Sequence, residues 1–400
     1  MHPSEAIRAS EGEELLGKTI VLGVCGSIAA VETVKLAREL IRHGADVYPV
    51  MTDAARIIIH PNALEFATGR VPVQQLDGSV QHVDLCGSRG NADLLLLAPA
   101  TANTISKMAQ GIDDTAVTTF ATTALGSGLP IIVAPAMDVS MYDHPILKEN
   151  MEKLRGLNVE FVEPLLEEEK AKLADTEVLT AHVIRKLGPT DMKGKRVLII
   201  AGATEEPLDD VRVLTNRSTG ETGLELARAA FLRGATVDLW MGRCSVQIPS
   251  YLKTWRFQTT EQLLSRVGEA DHDFCLVPAA ISDYVPQREE GKIPSKAESL
   301  ILELKPNVQV LSRIREVCKH VLVGFKLESQ VQPDELIQRA RTRMKELKLD
   351  YVVANDIGQV KEGRTEVILI DGRGRSKEFK GSKREVAWDL WSAVLHGLEG

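Results

Sequence analysis

The stretch that most constrains this chain is a run of four leucines, Leu94 to Leu97, closed by Ala98-Pro99 and followed at once by Ala100-Thr-Ala-Asn-Thr104. A short, wholly apolar run has no face to offer to water. It predicts a strand covered on both sides, as in a parallel sheet flanked by helices. The chain around it repeats the pattern. Thr19–Val24, Asp46–Met51 and Pro130–Ala134 read as further strands. Helical patterns separate them over Ala29–His43, Thr52–Ala67 and Asn103–Gln110. Strand–helix–strand alternation with right-handed crossovers gives a doubly wound sheet. Ligands of such sheets bind just outside the carboxyl ends of the strands. Thr101, Asn103 and Thr104 therefore fall at a candidate site, flanked in sequence by His82 and Met137.

The pattern stops and restarts. Glu163–Lys172 is charged and shows no strand periodicity, a helix follows over Glu177–Lys186, and Leu187–Gly194 carries two breakers, Gly188 and Pro189. From Arg196 the order strand, glycine turn, loop, helix begins again. Strands are expected at Arg196–Gly202, Thr236–Met241, Phe274–Pro278, Val321–Lys326, Tyr351–Asp356 and Glu366–Asp371, with helices at Gly223–Arg233 and Glu385–Leu398. The fold class is α/β, with two doubly wound, mostly parallel, Rossmann-like domains. The expected division is an N-terminal extension (1–17), a first domain (18–187), a linker (188–193) and a second domain (194–400).

Bulk properties exclude several functions. A net charge of −8 argues against nucleic acid as a partner, and it leaves any anionic ligand to local donors. No apolar run approaches the roughly 20 residues that span a bilayer. The first residues carry Glu5, Glu11, Glu13 and Glu14 and lack the apolar centre of a signal peptide. Five scattered cysteines, Cys25, Cys86, Cys244, Cys275 and Cys318, form neither a disulfide framework nor a metal-ligand cluster. A cytoplasmic protein acting on small molecules is expected.

Several constellations fall at strand ends. Gly26-Ser-Ile28 opens a helix after Val24, which suits a phosphate but equally a simple capped turn. His82 has the proton affinity for acid–base work, as do eight other histidines. Pro135-Ala-Met-Asp138 follows a strand on the same edge as Asn103; two core-facing methionines are its bland reading. The long polar loop from Gly202 to Gly220 precedes a helix, and Ser218-Thr-Gly220 suits a phosphate. Asp283, Lys292, Lys296, Lys326 and Asp356 lie at or near strand ends of the second half. A carboxylate among lysines suits Mg²⁺ and phosphates, although any one lysine alone reads as solvated surface.

Together these motifs resemble the bifunctional coenzyme A biosynthesis flavoproteins, in which a phosphopantothenoylcysteine decarboxylase is fused to a phosphopantothenate–cysteine ligase. The resemblance spans about residues 17–395. It implies an FMN site at Gly26, Ser27, Ile28, Thr52, Thr101 and Thr104. Pro99-Ala-Thr-Ala-Asn-Thr104 matches the family's PASANT motif with Thr101 in place of serine, which gives Asn103 the substrate carboxylate. His82 matches the active-site histidine, and Met137 and Asp138 match the PXMN motif at the substrate. In the second half the resemblance implies Arg212 at phosphopantothenate and Asn216 at an acyl-cytidylate. It places Ser218, Thr219, Gly220, Ala280, Asp283, Lys292, Phe325, Arg343 and Lys348 at CTP, Asp283 at Mg²⁺ as well, and Lys296 among the catalytic groups. Lys345 is a further candidate beside Arg343 and Lys348.

The implied chemistry is CTP-dependent ligation of cysteine to 4′-phosphopantothenate, then decarboxylation to 4′-phosphopantetheine, in which flavin oxidises the thiol so that CO₂ can leave. The family further implies a homo-oligomer, trimeric or dodecameric through the flavin domain and dimeric through the ligase domain. Three departures stand out. The lid segment Leu165–Lys172 lacks the family's cysteine, as in archaeal-type members, leaving Lys170, Lys172 or water as proton donor. Asp138 replaces an asparagine, and must face a donor, be protonated or point away. Tyr142 stands where a tryptophan is expected. A ligase with a degenerate flavin domain, a non-catalytic regulator and a flavin prenyltransferase-like first domain are the competing readings.

Overall fold

The computed structural model of the 400-residue chain describes residues 2–294, 299–356, 358 and 364–398. The chain divides into two compact units, Met1–Gly188 and Pro189–Gly400.

In the first unit five parallel strands lie in the order Asp46–Met51, Thr19–Val24, Leu94–Ala100, Ile131–Pro135, Glu160–Phe161. Leu94 to Leu97 are fully buried in its centre. Leu95 and Leu97 pack on one face with Phe120, Leu147 and Met151. The alternate leucines turn to the other face, where the Thr33–Arg42, Pro61–Thr68 and Thr176–Leu187 helices pack together. The leucine strand runs on to Ala100 through a cis Ala98–Pro99 bond, three residues beyond the apolar run. The helix expected over Thr52–Ala67 is two, Asp53–Ile58 and Pro61–Thr68. His60, before a proline, is held extended at φ −69°, ψ 138° and breaks the helix.

Two expectations are corrected here. Glu163–Lys172, expected to be charged and without strand periodicity, contains strands: Leu165–Glu167 and Lys170–Lys172 form an antiparallel hairpin, and its second strand pairs with Met137–Asp138. Glu168 and Glu169 turn the corner with φ of 51° and 58°, the conformation that a two-residue hairpin needs. Three-residue strands are too short to show a period. Nor are residues 2–17 a separate extension. Leu15 is fully buried, and the amides of Ala9 and Leu15 donate to the carbonyls of Ile41 and His43 at 3.0 and 2.8 Å. Arg8 reaches the carbonyls of Gly44 and Ala45 and the Asp46 carboxylate.

The second unit holds an eight-stranded sheet in the order Lys253–Arg256, Thr236–Met241, Arg196–Ala201, Phe274–Val277, Val321–Glu328, Tyr351–Asp356, Thr365–Asp371, Ser376–Gly381. The first six strands are parallel and the last two antiparallel. Strand order reverses at Arg196–Ala201, whose successors lie on opposite sides of it. That creates the crevice where doubly wound sheets bind ligands. Trp391 anchors one face, fully buried, its indole N–H donating to Leu226 O at 2.9 Å and its ring edge-on to Phe274. The Pro333–Leu347 helix on the other face went unread because it is almost entirely polar, burying only Leu336, Ala340 and Met344.

The Glu221–Leu232 helix lies so close to the sheet that a Cβ added at Gly223 would stand 2.1 Å from Ala201 Cβ. In an open helix, Gly→Ala gains about 1 kcal/mol. Here the neighbour is a methyl fixed to a strand backbone, so the clash wins. Gly223→Ala is expected to cost about 1–3 kcal/mol, read as a lower denaturation midpoint of the second unit. An unchanged or raised midpoint would show that helix and sheet can separate freely.

Candidate active sites

In the first unit three strands hand the chain to helices at one edge. After Val24 the backbone turns at Gly26, where an added Cβ would sit 2.4 Å from Ala54 Cβ; only glycine admits the close approach. Ser27 Oγ accepts from Ala29 N–H at 3.4 Å, and Thr52 Oγ1 from Ala55 N–H at 3.2 Å. Thr101 Oγ1 accepts from Thr104 N–H at 3.3 Å and lies 3.2 Å from Thr104 Oγ1. These hydroxyls cap helix starts whose remaining first-turn amides lack partners in the helix, the donor set that suits an anionic or carbonyl-rich ligand. Thr104 is buried beside Cys25, so it supports Thr101 from beneath. Burial pushes the Cys25 thiol up, making it a packing residue. Ile28 projects from the same turn, 78% exposed.

Asn103 is exposed in the first turn of the Ala102–Gln110 helix, and its carboxamide has no intramolecular partner among the described residues. His82 lies on the short Gln81–Cys86 helix, edge-on to Phe120 with ring centroids 6.2 Å apart. Its Nδ1 is buried without a hydrogen-bond partner. The helices carrying His82 and Asn103 both pack on the Ala116–Ser127 helix. Met137 is half-buried opposite Ala171 of the hairpin. Asp138 caps the Val139–Tyr142 turn, accepting from Ser140 Oγ at 2.5 Å and Ser140 N–H at 2.9 Å. These bonds, with Lys170 nearby, hold its carboxyl below the usual range. Of the three possibilities for Asp138, facing a donor is the one realised. Lys172 is tied to Glu167 and Glu168 at 3.3 and 2.9 Å, which raises its proton affinity and makes it a poor donor. Tyr142 is buried and donates its hydroxyl to Glu163.

In the second unit the loop after Ala201 turns at Gly202, with φ +80°, and rises as an antiparallel pair, Glu205–Pro207 with Val213–Thr215. Asn216 Nδ2 donates to Ala280 O at 3.2 Å, joining two of the expected nucleotide segments. Ser218 and Thr219 hydroxyls accept from Gly220 and Glu221 amides, both at 3.3 Å, and Gly220 itself has φ +77°. Asp283, Phe325 and Arg343 line one cleft with Ser282 and Asn307. Lys292 is exposed on a segment whose neighbours Glu289 and Gly291 bond to the backbone of Leu208 and Asp210. Lys296 lies outside the described residues.

Some expected ligands have other tasks. Lys348 ends the Pro333–Leu347 helix, and its carbonyl accepts from Arg315 beside Asp350, at the amino-terminal edge of the strands. Lys348 is not among the residues that line the cleft of Asp283 and Arg343, which speaks against its assignment to the nucleotide. Asp356 is buried and accepts from the amides of Gly358, Val331 and Gln330, which hold its carboxyl low; it closes a loop. Lys326 is paired with Glu328 at 3.0 Å. Arg212 Nη1 donates to Asp209 at 2.9 Å and to Ile293 O at 3.2 Å. Asp209 went unread. Burial alone would raise its proton affinity, but amides of Val211, Ile293 and Arg212 and the Arg212 charge overcome that and keep it ionised. Its Asp-x-x-Arg spacing, an Asx turn closed by an ion pair, was the available signal.

These features define an α/β flavoprotein unit followed by a second unit of the pantothenate-metabolism type. Residues 8–188 match the Flavoprotein family, and residues 192–398 match the DNA/pantothenate metabolism flavoprotein C-terminal domain. The Coenzyme A biosynthesis bifunctional protein CoaBC of Thermococcus kodakarensis is 47% identical over 98% of this chain and 99% of that protein. Its counterpart in Methanocaldococcus jannaschii is 37% identical over 97% of this chain and 96% of that protein. The crystal structure of the C-terminal domain of a CoaBC protein is 27% identical, covers 52% of this chain and 98% of its own, and has a TM-score of 0.45. The chain belongs to the family of bifunctional coenzyme A biosynthesis proteins. It is a coenzyme A biosynthesis enzyme that joins a flavoprotein decarboxylase unit to a ligase unit.

The position of Lys348 gives a direct check. Lys348→Ala is expected to leave the KM of the ligase reaction for its nucleotide within about twofold of the parent, as suits an exposed side chain that does not line the cleft. A tenfold rise would return Lys348 to the site.

Proposed function

We propose that the second unit ligates cysteine to 4′-phosphopantothenate at the expense of CTP, through an acyl-cytidylate, and that the first unit decarboxylates the resulting 4′-phosphopantothenoylcysteine to 4′-phosphopantetheine with FMN. The observation that carries the first half is Asn103, exposed and unpartnered at a helix start beside the Gly26 turn. The glycine turn and the hydroxyl-capped helix starts at Ser27, Thr52 and Thr101 fit a phosphate-bearing flavin, with Ile28 as an apolar wall. When bound, FMN supplies the two-electron chemistry that makes loss of CO₂ accessible. Asn103 orients the substrate carboxylate with its carboxamide and the adjacent amides, and Met137 packs at the substrate. His82, with one ring nitrogen unsatisfied, accepts or returns a proton near the thiol. With Lys172 held in ion pairs, Lys170 or water remains as the final proton donor.

In the second unit the cleft of Asp283, Phe325 and Arg343 supports the nucleotide reading. Phe325 offers a face to the base, Arg343 and Lys292 offset phosphate charge, and the turn at Ser218, Thr219 and Gly220 presents amides. Asp283 is exposed and accepts no side-chain hydrogen bond among the described residues, as suits a carboxylate that meets Mg²⁺. Such charge neutralisation is the main demand of the transfer. Asn216 faces the acyl-cytidylate and Arg212 the phosphopantothenate, with Lys296 assigned beside them. A homo-oligomer is proposed, trimeric or dodecameric through the first unit and dimeric through the second. Large exposed apolar side chains on each, such as Ile57 at 87% and Ile301 at 91%, support assembly. Among the described residues no helix is long and apolar enough to cross a membrane; a cytoplasmic location is proposed.

Two substitutions test the two halves separately. His82→Asn is expected to cut CO₂ release by about 100-fold or more while the protein stays yellow with bound FMN; turnover near the parent's would sink the assignment. Asn216→Asp sets a carboxylate against the Ala280 carbonyl, and is expected to abolish ligation with decarboxylation unchanged. Intact ligation would remove that loop from the site. A purified protein without flavin colour would favour the ligase-only reading; the missing lid cysteine is the motive for the regulator reading, which CO₂ release from 4′-phosphopantothenoylcysteine would exclude.

A further inference from the structure

We propose that Asn307 is a positioning residue of the ligase cleft, setting the direction of the Asp283 carboxylate through a hydrogen-bond clamp anchored on the buried Glu206. The inference rests on the reading of Asp283 as a nucleotide-facing group. Asn307 follows the Leu304–Pro306 strand and lines the same cleft as Asp283. Its backbone N–H donates to the Asp283 carbonyl at 2.8 Å, and its Nδ2 donates to the Ser282 carbonyl at 2.7 Å. Those carbonyls belong to the two peptide planes on either side of the Asp283 Cα. Fixing both planes fixes the Cα–Cβ direction, because each peptide is rigid.

The clamp has one polarity. Asn307 Nδ2 also donates to Thr260 Oγ1 at 2.9 Å. Thr260 Oγ1 in turn donates to Glu206 Oε1 at 2.6 Å, and the Thr260 amide reaches the same oxygen at 3.0 Å. With its one proton committed to a carboxylate, the threonine oxygen can only accept from Asn307. Asn307 Oδ1 is engaged by the Val308 amide at 2.8 Å, so the carboxamide cannot turn over without opposing acceptors to acceptors. Glu206, Thr260 and Ser282 are 6%, 2% and 7% exposed, which leaves little water to replace a lost donor. On the far side Thr204 Oγ1 accepts from the Ser282 amide at 3.1 Å. Thr215 Oγ1 donates to Thr204 O at 2.7 Å, one residue before Asn216. The clamp therefore holds Asp283 and the Asn216 loop in one frame, although they come from distant parts of the sequence.

The test uses the full chain. Asn307→Asp keeps the shape but turns both donated hydrogen bonds into facing acceptors; Asn307→Ala removes them without repulsion. Kinetics of ligation, calorimetric binding of CTP in the presence of Mg²⁺, and decarboxylation as an internal control are measured. Both variants are expected to raise the KM and the Kd for CTP with Mg²⁺ by about tenfold, with the aspartate worse than the alanine. The KM for 4′-phosphopantothenate and the decarboxylation rate stay within threefold. Combined with Asp283→Asn, either variant is expected to add little further loss, because both act through one group. Asn307→Asp within twofold of the parent, an alanine worse than the aspartate, or losses that multiply with Asp283→Asn would overturn the proposal. A silent Asp283→Asn would instead overturn the reading of Asp283, and the proposal with it. Should Asn307→Asp fail to fold, Asn307→Ala and its cycle with Asp283→Asn decide alone.

Discussion

A strand with no polar side chain is stable only where helices exclude water from both of its faces. That requirement, met by Leu94 to Leu97 in the first unit and by Leu198 to Ile200 in the second, dictates the layered build of each half. Helices must cross over the sheet, so parallel strands such as Thr19–Val24, Asp46–Met51 and Leu94–Ala100 end in turns that start helices. The backbone amides of those first turns have no helical partner. The candidate chemistry gathers where such amides do, at Gly26, Thr52 and Thr101 in one unit and at Gly220 in the other. The sites are by-products of the way a parallel sheet has to be covered.

Carboxylates divide the edge into what is built and what is free. Asp209, Glu206 and Asp356 lie at strand ends, buried, and each accepts backbone amides. Their charge is used to close loops where no helix or strand can. Asp283 sits among them and is exposed. The contrast separates scaffold from candidate ligand more sharply than residue type does. Asp138 is exposed as well, but its bonds to Ser140 make it a helix cap.

The strand cores and the glycine turns were legible in the sequence because each rests on a local signal: an apolar run, or a residue that only fits without a Cβ. The placement of Thr101, Asn103 and Gly220 at strand ends followed from those signals. What stayed hidden had no local signal. The Leu165–Lys172 hairpin has three-residue strands and glutamates in a left-handed turn. The Pro333–Leu347 helix buries one residue in five. Lys348 looked like part of a basic patch near the nucleotide, but the helix that carries it runs back across the sheet. Lys348 caps the helix end five residues past Arg343, where its carbonyl meets Arg315 and its side chain does not line the cleft. Asn307 and Glu206 are ordinary letters until the fold brings Thr260 between them.

The docked segment Pro3–Gly17 closes the Thr33–Arg42 helix in an unusual manner. Ala9, Glu11 and Leu15 send their amides to the carbonyls of Ile41, Arg42 and His43, so the helix end is finished by upstream main chain. The cap is made first during synthesis and waits for its helix. It follows that a flavoprotein fragment begun at residue 18 would strip the donors from Arg42 and His43, leave Ile41 with the Gly44 amide, and expose the core that Leu15 packs into. The natural border of that half therefore lies ahead of its first strand, where no sheet pattern marks it.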